Sequence, residues 1–254
     1  MNSKKVVATI ECRMGSTRLP GKVLKEIKGK PELEIFYERV KPSKHLNDIV
    51  IATTTSPRDD VLANFANDRN INLYRGSEDD VLDRVLNAAK SKDADVIVEL
   101  IPDNPLMHYK IVDEVVDYYL NNEYDYISTF VPKITFPTGI GVQVFSTKVL
   151  DEVDRLTRDP QDPEYKKNRE NVTWYIYHHL ERYRINNYEA KGILKNTGLR
   201  LDLDNPEDFA LITKLYENFN SFMFTVEEAV EFLLKNPEVA NLNAKYRYKD
   251  DHYK

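Results

Sequence analysis

The chain has 254 residues, which fits one large α/β domain or one domain with a small appendage. With 41% hydrophobic residues it can build a full core, and with 31% charged residues it is expected to be soluble. A formal net charge of −6 argues against a nucleic-acid scaffold, where a basic face is needed, but leaves room for a local cationic pocket.

The opening MNSKKVVATIE has too short an apolar run for a secretory signal, and no stretch is long and apolar enough to span a bilayer. Cys12 is the one cysteine, so no intrachain disulfide forms. That is consistent with a reducing compartment, and a cytoplasmic protein with no membrane or nucleic-acid partner is expected. No histidine or acid is tied to Cys12 by a motif, so it reads as a packed thiol.

Val6, Val7, Ala8 and Ile10 form a β-rich apolar run that enters a polar loop carrying Arg13, Arg18 and Lys22. A first strand running into such a loop supplies a phosphate site in many α/β proteins. Gly15 and Gly21 let the backbone bend close to a ligand, while Ser16 and Thr17 add hydroxyls. Main-chain N–H groups plus fixed cations suit a triphosphate. The loop is neither GxxxxGK[ST] nor GxGxxG, and taken alone it reads equally well as a basic surface turn.

Leu33, Phe36, Tyr37 and Val40 mark a helix that Pro42 interrupts. Asp48–Thr54 reads as a buried parallel strand meeting a polar turn at Thr53, Thr54 and Thr55. Pro57, Asp59 and Asp60 open the next helix, followed by a short strand over Ile71–Tyr74. In YRGSEDDVLDRVLNAA, Ser77 is the expected N-cap, with Asp80 as its acidic partner and Val81, Leu82, Val85 and Leu86 as the buried stripe. Local physics reads this block as a well-capped helix.

Ala94–Leu100 is a central strand running into Ile101-Pro-Asp-Asn-Pro-Leu106. Asp103 therefore lies just past a strand's carboxyl end, where ligands bind in open α/β sheets. A carboxylate there can hold Mg²⁺ against a triphosphate, or simply occupy a proline-stiffened turn. Another helix spans Ile111–Tyr119. Strands over Tyr124–Phe130 and Gly141–Ser146 follow, joined by a Pro/Gly-rich linker long enough to border an active site.

After a helix over Val149–Leu156, the charged, proline-bearing stretch 158–170 reads as a surface loop or mobile arm. RENVTWYIYHHLERYRI has helical spacing with Val172, Tyr175 or Ile176, His179 and Leu180 on one face. Arg169 can meet a carboxylate through a paired hydrogen bond and Glu170 can orient a hydroxyl, or both sit in exposed ion pairs. Adjacent His178 and His179 are not spaced for shared metal ligation, and the five histidines read as structural or solvated. Leu199–Leu203 alternates like a strand, and Asn205-Pro-Glu-Asp208 opens a helix. Thr225 and Glu228 form a capping box for the last clear helix, and residues 243–254 lack periodicity and are expected to be loosely held.

Five of these stretches resemble one family. Cys12–Leu24 resembles the RMGSTRLPGKVL signature of the cytidylyltransferases that include the spore-coat polysaccharide SpsF-like proteins, and is similar, more distantly, to synthetases of CMP-activated acidic sugars. Residues 74–84 resemble a second motif, 103–106 a Thr-Gly-Asp-x-Pro-Leu turn, 169–173 an Arg-Glu-His-Val-Thr motif, and 203–208 a Val-Asp-Thr-Pro-Glu-Asp motif. The chain departs from the pattern at Gly141 and Gln143, which stand where relatives carry acids, and at Asn171, which replaces a histidine.

The resemblance implies an α/β fold: a Rossmann-like, GT-A-like nucleotidyltransferase with three α/β/α layers, a mostly parallel sheet, and a single domain over 1–242. It implies a nucleotide site at Arg13, Met14, Gly15, Ser16, Arg18, Lys22, Thr53, Arg75, Ser77 and Arg84, with Arg13 and Lys22 also serving catalysis. It places Mg²⁺ on Asp103 and Asp204, and an acceptor against Gln143, Arg169 and Glu170. The expected reaction moves CMP from CTP to a hydroxyl of a small acceptor, an acidic or modified sugar for cell-surface polysaccharide, in a homodimer. Two alternatives stay open. One is a glycosyltransferase using Asp202-Leu203-Asp204 as an Asp-x-Asp metal motif. The other is a non-catalytic nucleotide binder.

Overall fold

Alternation along the first strand sends Val6, Ala8 and Ile10 to one face and Val7 to the other, and all four are buried. A strand apolar on both faces belongs in the middle of a covered sheet. The computed structural model, which describes residues 4–195 and 197–247, places it there.

The strands are β1 (Val6–Glu11), β2 (Glu26–Ile27), β3 (Lys30–Pro31), β4 (Asp48–Thr54), β5 (Asn72–Gly76), β6 (Val96–Leu100), β7 (Tyr126–Ser128), β8 (Gln143–Ser146) and β9 (Ile185–Asn187). The helices are α1 (Glu32–Val40), α2 (Asp60–Asp68), α3 (Val81–Lys90), α4 (Tyr109–Leu120), α5 (Thr147–Leu156), α6 (Tyr165–Glu170), α7 (Trp174–His178), α8 (Pro206–Asn218), α9 (Val226–Lys235) and α10 (Pro237–Ala240). Seven strands form one sheet in the order β5-β4-β1-β6-β8-β7-β9, with β2 and β3 as a separate pair. β5, β4, β1 and β6 run parallel, and β8 is antiparallel to both β6 and β7.

From β1 the chain moves outward through β4 and β5, then returns to the other side of β1 as β6. The loops leaving the carboxyl ends of β1 and β6 therefore diverge, and such a switch point opens a crevice. On one face, side chains of α1, α2, α4, α8 and α9 share a core with Val6, Ala8, Val96 and Val98. On the other, α3, α5 and α7 pack on Val7, Val50, Ile97 and Phe145. The result is the expected three-layer, mostly parallel α/β arrangement.

Several local expectations are corrected. The N-cap of α3 is Asp80, which accepts from Asp83 N, whereas Ser77 Oγ accepts from Asp80 N one turn earlier. Leu199–Leu203 is extended but joins no sheet strand. Its backbone pairs with the linker instead, Leu201 N donating to Thr138 O at 2.7 Å. The helix expected across 169–185 breaks into α6 and α7, leaving Leu180 62% exposed rather than buried.

Nor is 158–170 a free arm throughout. Arg169 on α6 is buried and donates to Asp80 (Nη2–Oδ2 2.7 Å), Asp154 (2.9 Å) and Thr157 (3.1 Å), which draws α6 onto α3 and α5. Removing one member of such a buried pair strands the other charges. Arg169→Met is expected to cost about 3 kcal/mol in urea unfolding. A change within about 0.5 kcal/mol would mean that the clamp is solvated.

The tail was expected to be loose from residue 243, yet 243–247 is anchored. Asn243 is buried and donates to Arg200 O (3.0 Å) and Asp208 Oδ1 (2.8 Å), and Lys245 pairs with Glu207. Residues 248–254 lie outside the described residues.

Candidate active site

Gly21 has φ +66, in the left-handed region that favours glycine, and it turns the chain into a short 3₁₀ segment, Lys22–Leu24. That turn directs Lys22 inward, so its side chain is only 10% exposed. Gly15 lies against the Arg58 guanidinium, 2.9 Å from where a Cβ would stand. Buried Asp59 pins the loop from beneath, accepting from Met14 N at 2.8 Å and from Thr54 Oγ1.

The loop forms one wall of a cleft of about 450 Å³. The cleft is lined by Glu11, Cys12, Arg13, Gly15, Ser16, Thr17, Arg18, Lys22 and Val23 from the β1 side. Val81 and Arg84 of α3, Ile101 and Asp103 after β6, Glu170 of α6, and Asp204 before α8 complete it.

Asp103 and Asp204 meet on one ammonium. Lys22 Nζ is 2.5 Å from Asp103 Oδ2 and 2.9 Å from Asp204 Oδ1. The two acid-bearing turns are also tied through the backbone, Leu203 N donating to Asp103 O at 2.8 Å. The outer oxygen of Asp204, Oδ2, faces Arg18 at 3.1 Å and buried Arg200 at 3.2 Å. Asn205 and Asp208 hold the turn in a capping box at the start of α8.

Burial raises the Asp103 carboxyl above its usual range against the pull of Lys22. Burial also opposes the Asp204 anion, yet Lys22, then Arg18 and Arg200, hold it below the usual range. Asp202 is pushed up to about 7 by burial despite its 2.9 Å pair with Arg200, and it does not line the cleft.

Two carboxylates converging on a single cation are a hard-oxygen donor set that fits Mg²⁺, which takes one or two carboxylates and completes its shell with water and substrate phosphates. Among the described residues no group of three or more His, Cys, Asp or Glu is arranged to hold a metal ion. The fit is therefore to a substrate-completed site rather than an all-protein cage.

Of the expected site residues, the structure brings together Arg13, Gly15, Ser16, Arg18, Lys22, Arg84, Asp103, Glu170 and Asp204. It places the others elsewhere. Met14 packs its side chain against Gly21, and Thr53 is fully buried within β4. Arg75 donates to Thr54 O and Ser56 O and pairs with Asp60, bracing the β4–α2 turn. Ser77 spends its hydroxyl on Asp80 N, and Arg169 is clamped as described.

Gln143 is buried, accepting from Tyr126 OH and Thr173 Oγ1 (both 2.6 Å) and donating to Glu99 Oε2 at 3.0 Å. A carboxylate at 143 would confront buried Glu99, so a neutral amide suits this position. At Gly141 a Cβ would stand 3.0 Å from Asn104 Nδ2 and 3.3 Å from the Phe130 ring, which leaves little room for a larger side chain.

Sequence reading missed Glu11. The signal was present: a lone carboxylate at the carboxyl end of a largely apolar strand. Burial pushes it up to about 7 despite nearby Arg84, and its Oε2 is enclosed without a hydrogen-bond partner. A carboxyl that binds its proton more tightly folded than unfolded stabilises fully below pH 4.5, and loses that contribution as pH rises to about 7. Glu11→Gln is therefore expected to gain stability relative to wild type across this window, by up to roughly 3 kcal/mol in urea titrations. A difference that stays flat with pH would refute the assignment. Glu32 was missed too. It lies buried on α1 with both carboxyl oxygens unpartnered.

Residues 7–236 match the model of the family described as cytidylyltransferase. The chain is 36% identical to an uncharacterised protein of Methanocaldococcus jannaschii, over 96% of this chain and 97% of that one. It is 31% identical to the spore coat polysaccharide biosynthesis protein SpsF of Bacillus subtilis, over 92% of this chain and 96% of that protein. The solved structure of a cytidylyltransferase from Leptospira borgpetersenii superimposes with a TM-score of 0.86 at 30% identity, covering 94% of this chain and 97% of the other. With the family's motif loop forming one wall of the cleft and two distant acids meeting across it, the chain belongs to the cytidylyltransferase family.

Proposed function

We propose that this chain transfers CMP from CTP to the hydroxyl of a small acidic or modified sugar destined for cell-surface polysaccharide, releasing pyrophosphate. The observation that carries the reading is the meeting of Asp103 and Asp204 at Lys22, beside Arg18 and Arg13. The polysaccharide assignment draws on the name of the Bacillus subtilis relative.

The acceptor oxygen attacks the α-phosphorus, a P–O bond to it forms, and the α–β bridging P–O bond breaks. Pyrophosphate leaves with the bonding pair, and the hydroxyl proton passes to solvent. Arg13, Arg18 and Lys22 offset the charge on the β- and γ-phosphates and stabilise the leaving group, so catalysis is positioning plus charge compensation. Asp103 and Asp204 would hold a divalent ion, which when bound would supply Lewis-acid polarisation of the α-phosphate. Glu170 stands on the cleft wall where it can accept from an acceptor hydroxyl.

Asp202 pairs with Arg200 away from the cleft lining, which weakens the Asp-x-Asp glycosyltransferase reading. Gln143 lies inside the protein, so its lack of charge removes no cleft group and gives the non-catalytic reading no support. The test is pyrophosphate release with Mg²⁺, four nucleoside triphosphates and a panel of acidic sugars. CTP-specific release with at least one sugar is expected. Turnover of nucleotide sugars without it would favour the glycosyltransferase. The expected homodimer belongs to the same proposal, and sedimentation velocity checks it. Among the described residues, no helix is long and apolar enough to cross a membrane.

A further inference from the structure

The three loop cations are not waiting free for a triphosphate. Arg13 faces Glu78 at 3.7 Å, Arg18 faces Asp204 at 3.1 Å, and Lys22 bridges Asp103 and Asp204. The last contact matters most. Magnesium coordinates carboxylate oxygens at about 2.0–2.1 Å. An ion bound to the same two oxygens would have to stand where the Lys22 ammonium now stands, and the two cations repel. Buried Glu32, with both carboxyl oxygens unpartnered, takes no hydrogen bond from Lys22, so Asp103 and Asp204 are the carboxylates that hold the ammonium.

We propose that Lys22 is a latch. In the nucleotide-free protein its ammonium occupies the divalent-cation position between Asp103 and Asp204, and a triphosphate opens that position by drawing Lys22 onto its own oxygens. This rests on reading Asp103 and Asp204 as cation ligands. A lysine suits the task because its compact charge rides on a flexible four-carbon stem that can exchange carboxylate for phosphate partners. Arg200, buried and paired with Asp202 and Asp208, keeps hold of Asp204 Oδ2 during that exchange, so Oδ1 is the oxygen released. The divalent ion then enters with or after the nucleotide and does not settle in the empty cleft.

The experiment is Mn²⁺ titration without nucleotide, followed by isothermal calorimetry and by the electron paramagnetic resonance of free Mn²⁺. It compares wild type, Lys22→Met, Lys22→Gln and the double variant Lys22→Met/Asp103→Asn. Wild type is expected to bind weakly. Each Lys22 variant is expected to bind at least about tenfold more tightly, because a unit charge facing the ion has gone, and the double variant should lose that gain. If Lys22→Met does not fold, Lys22→Gln carries the same comparison.

Equal Mn²⁺ affinity in wild type and Lys22 variants overturns the latch while leaving the acids as ligands. Absence of Mn²⁺ binding in every protein overturns both the latch and the ligand assignment. A crystal soaked with CTP in EDTA supplies the second arm. Lys22 is expected on phosphate oxygens and away from the acids. Lys22 still bridging Asp103 and Asp204 beside a bound triphosphate would overturn the proposal.

Discussion

Asp103→Asn and Asp204→Asn are each expected to lower CMP transfer by about two to three orders of magnitude, the scale for removing one group that stabilises developing charge in a desolvated site. Both changes keep shape and volume but remove an anionic oxygen donor at the point where two carboxylates meet. Folding should survive. Each acid shares Lys22 with the other, and Asp204 lies in a turn that Asn205 and Asp208 hold independently. The check is kcat and KM for pyrophosphate release alongside circular dichroism. The loss should fall mainly on kcat, as for an interaction used in the transition state. Near-wild-type turnover in either variant would remove that acid from the reaction.

Gly139→Ala is expected to be the most damaging single change to stability, costing more than about 4 kcal/mol. Gly139 has φ +93, and a Cβ there would stand 2.4 Å from Leu201 C and 2.5 Å from Asp202 N. Those are backbone atoms of the segment that leads to Asp204, and they cannot rotate away. Either the linker lifts off, breaking the Leu201 N to Thr138 O bond, or the Asp204 turn shifts and takes activity with it. Gly29→Ala is the matched control. Its φ is +75 with nothing within 4 Å, so only backbone strain of about 1 kcal/mol applies. Denaturant midpoints of the two variants decide the matter, and equal losses would mean that crowding at 139 is relieved cheaply.

The elements that sequence reading placed well are those whose cause is local. The strand at Val6–Glu11 shows in its apolar run, the starts of α8 and α9 in Asn205-Pro206 and in Thr225 with Glu228, and the loop geometry in Gly21. The elements it misplaced depend on partners far along the chain. Leu199–Leu203 has a strand's alternation, but its backbone meets the 131–140 linker rather than a sheet edge. The stretch 158–170 has the charge of a solvated arm, yet one arginine in it finds Asp80 and Asp154.

The sequence by itself determined most of the strand and helix order from β1 to α5, the bend of the loop at Gly21 and the position of Asp103 just past a strand end. Periodicity, capping and backbone freedom are properties of neighbouring residues, so they are legible without a fold. Only the tertiary structure decided which charges reach the cleft. Lys22 and Arg169 are both cations within family motifs, but one closes on two acids at the cleft and the other is sealed into a clamp behind it. A charge's role is set by the opposite charges that folding brings within about 4 Å and by the water it excludes, and neither is written near that charge in the chain.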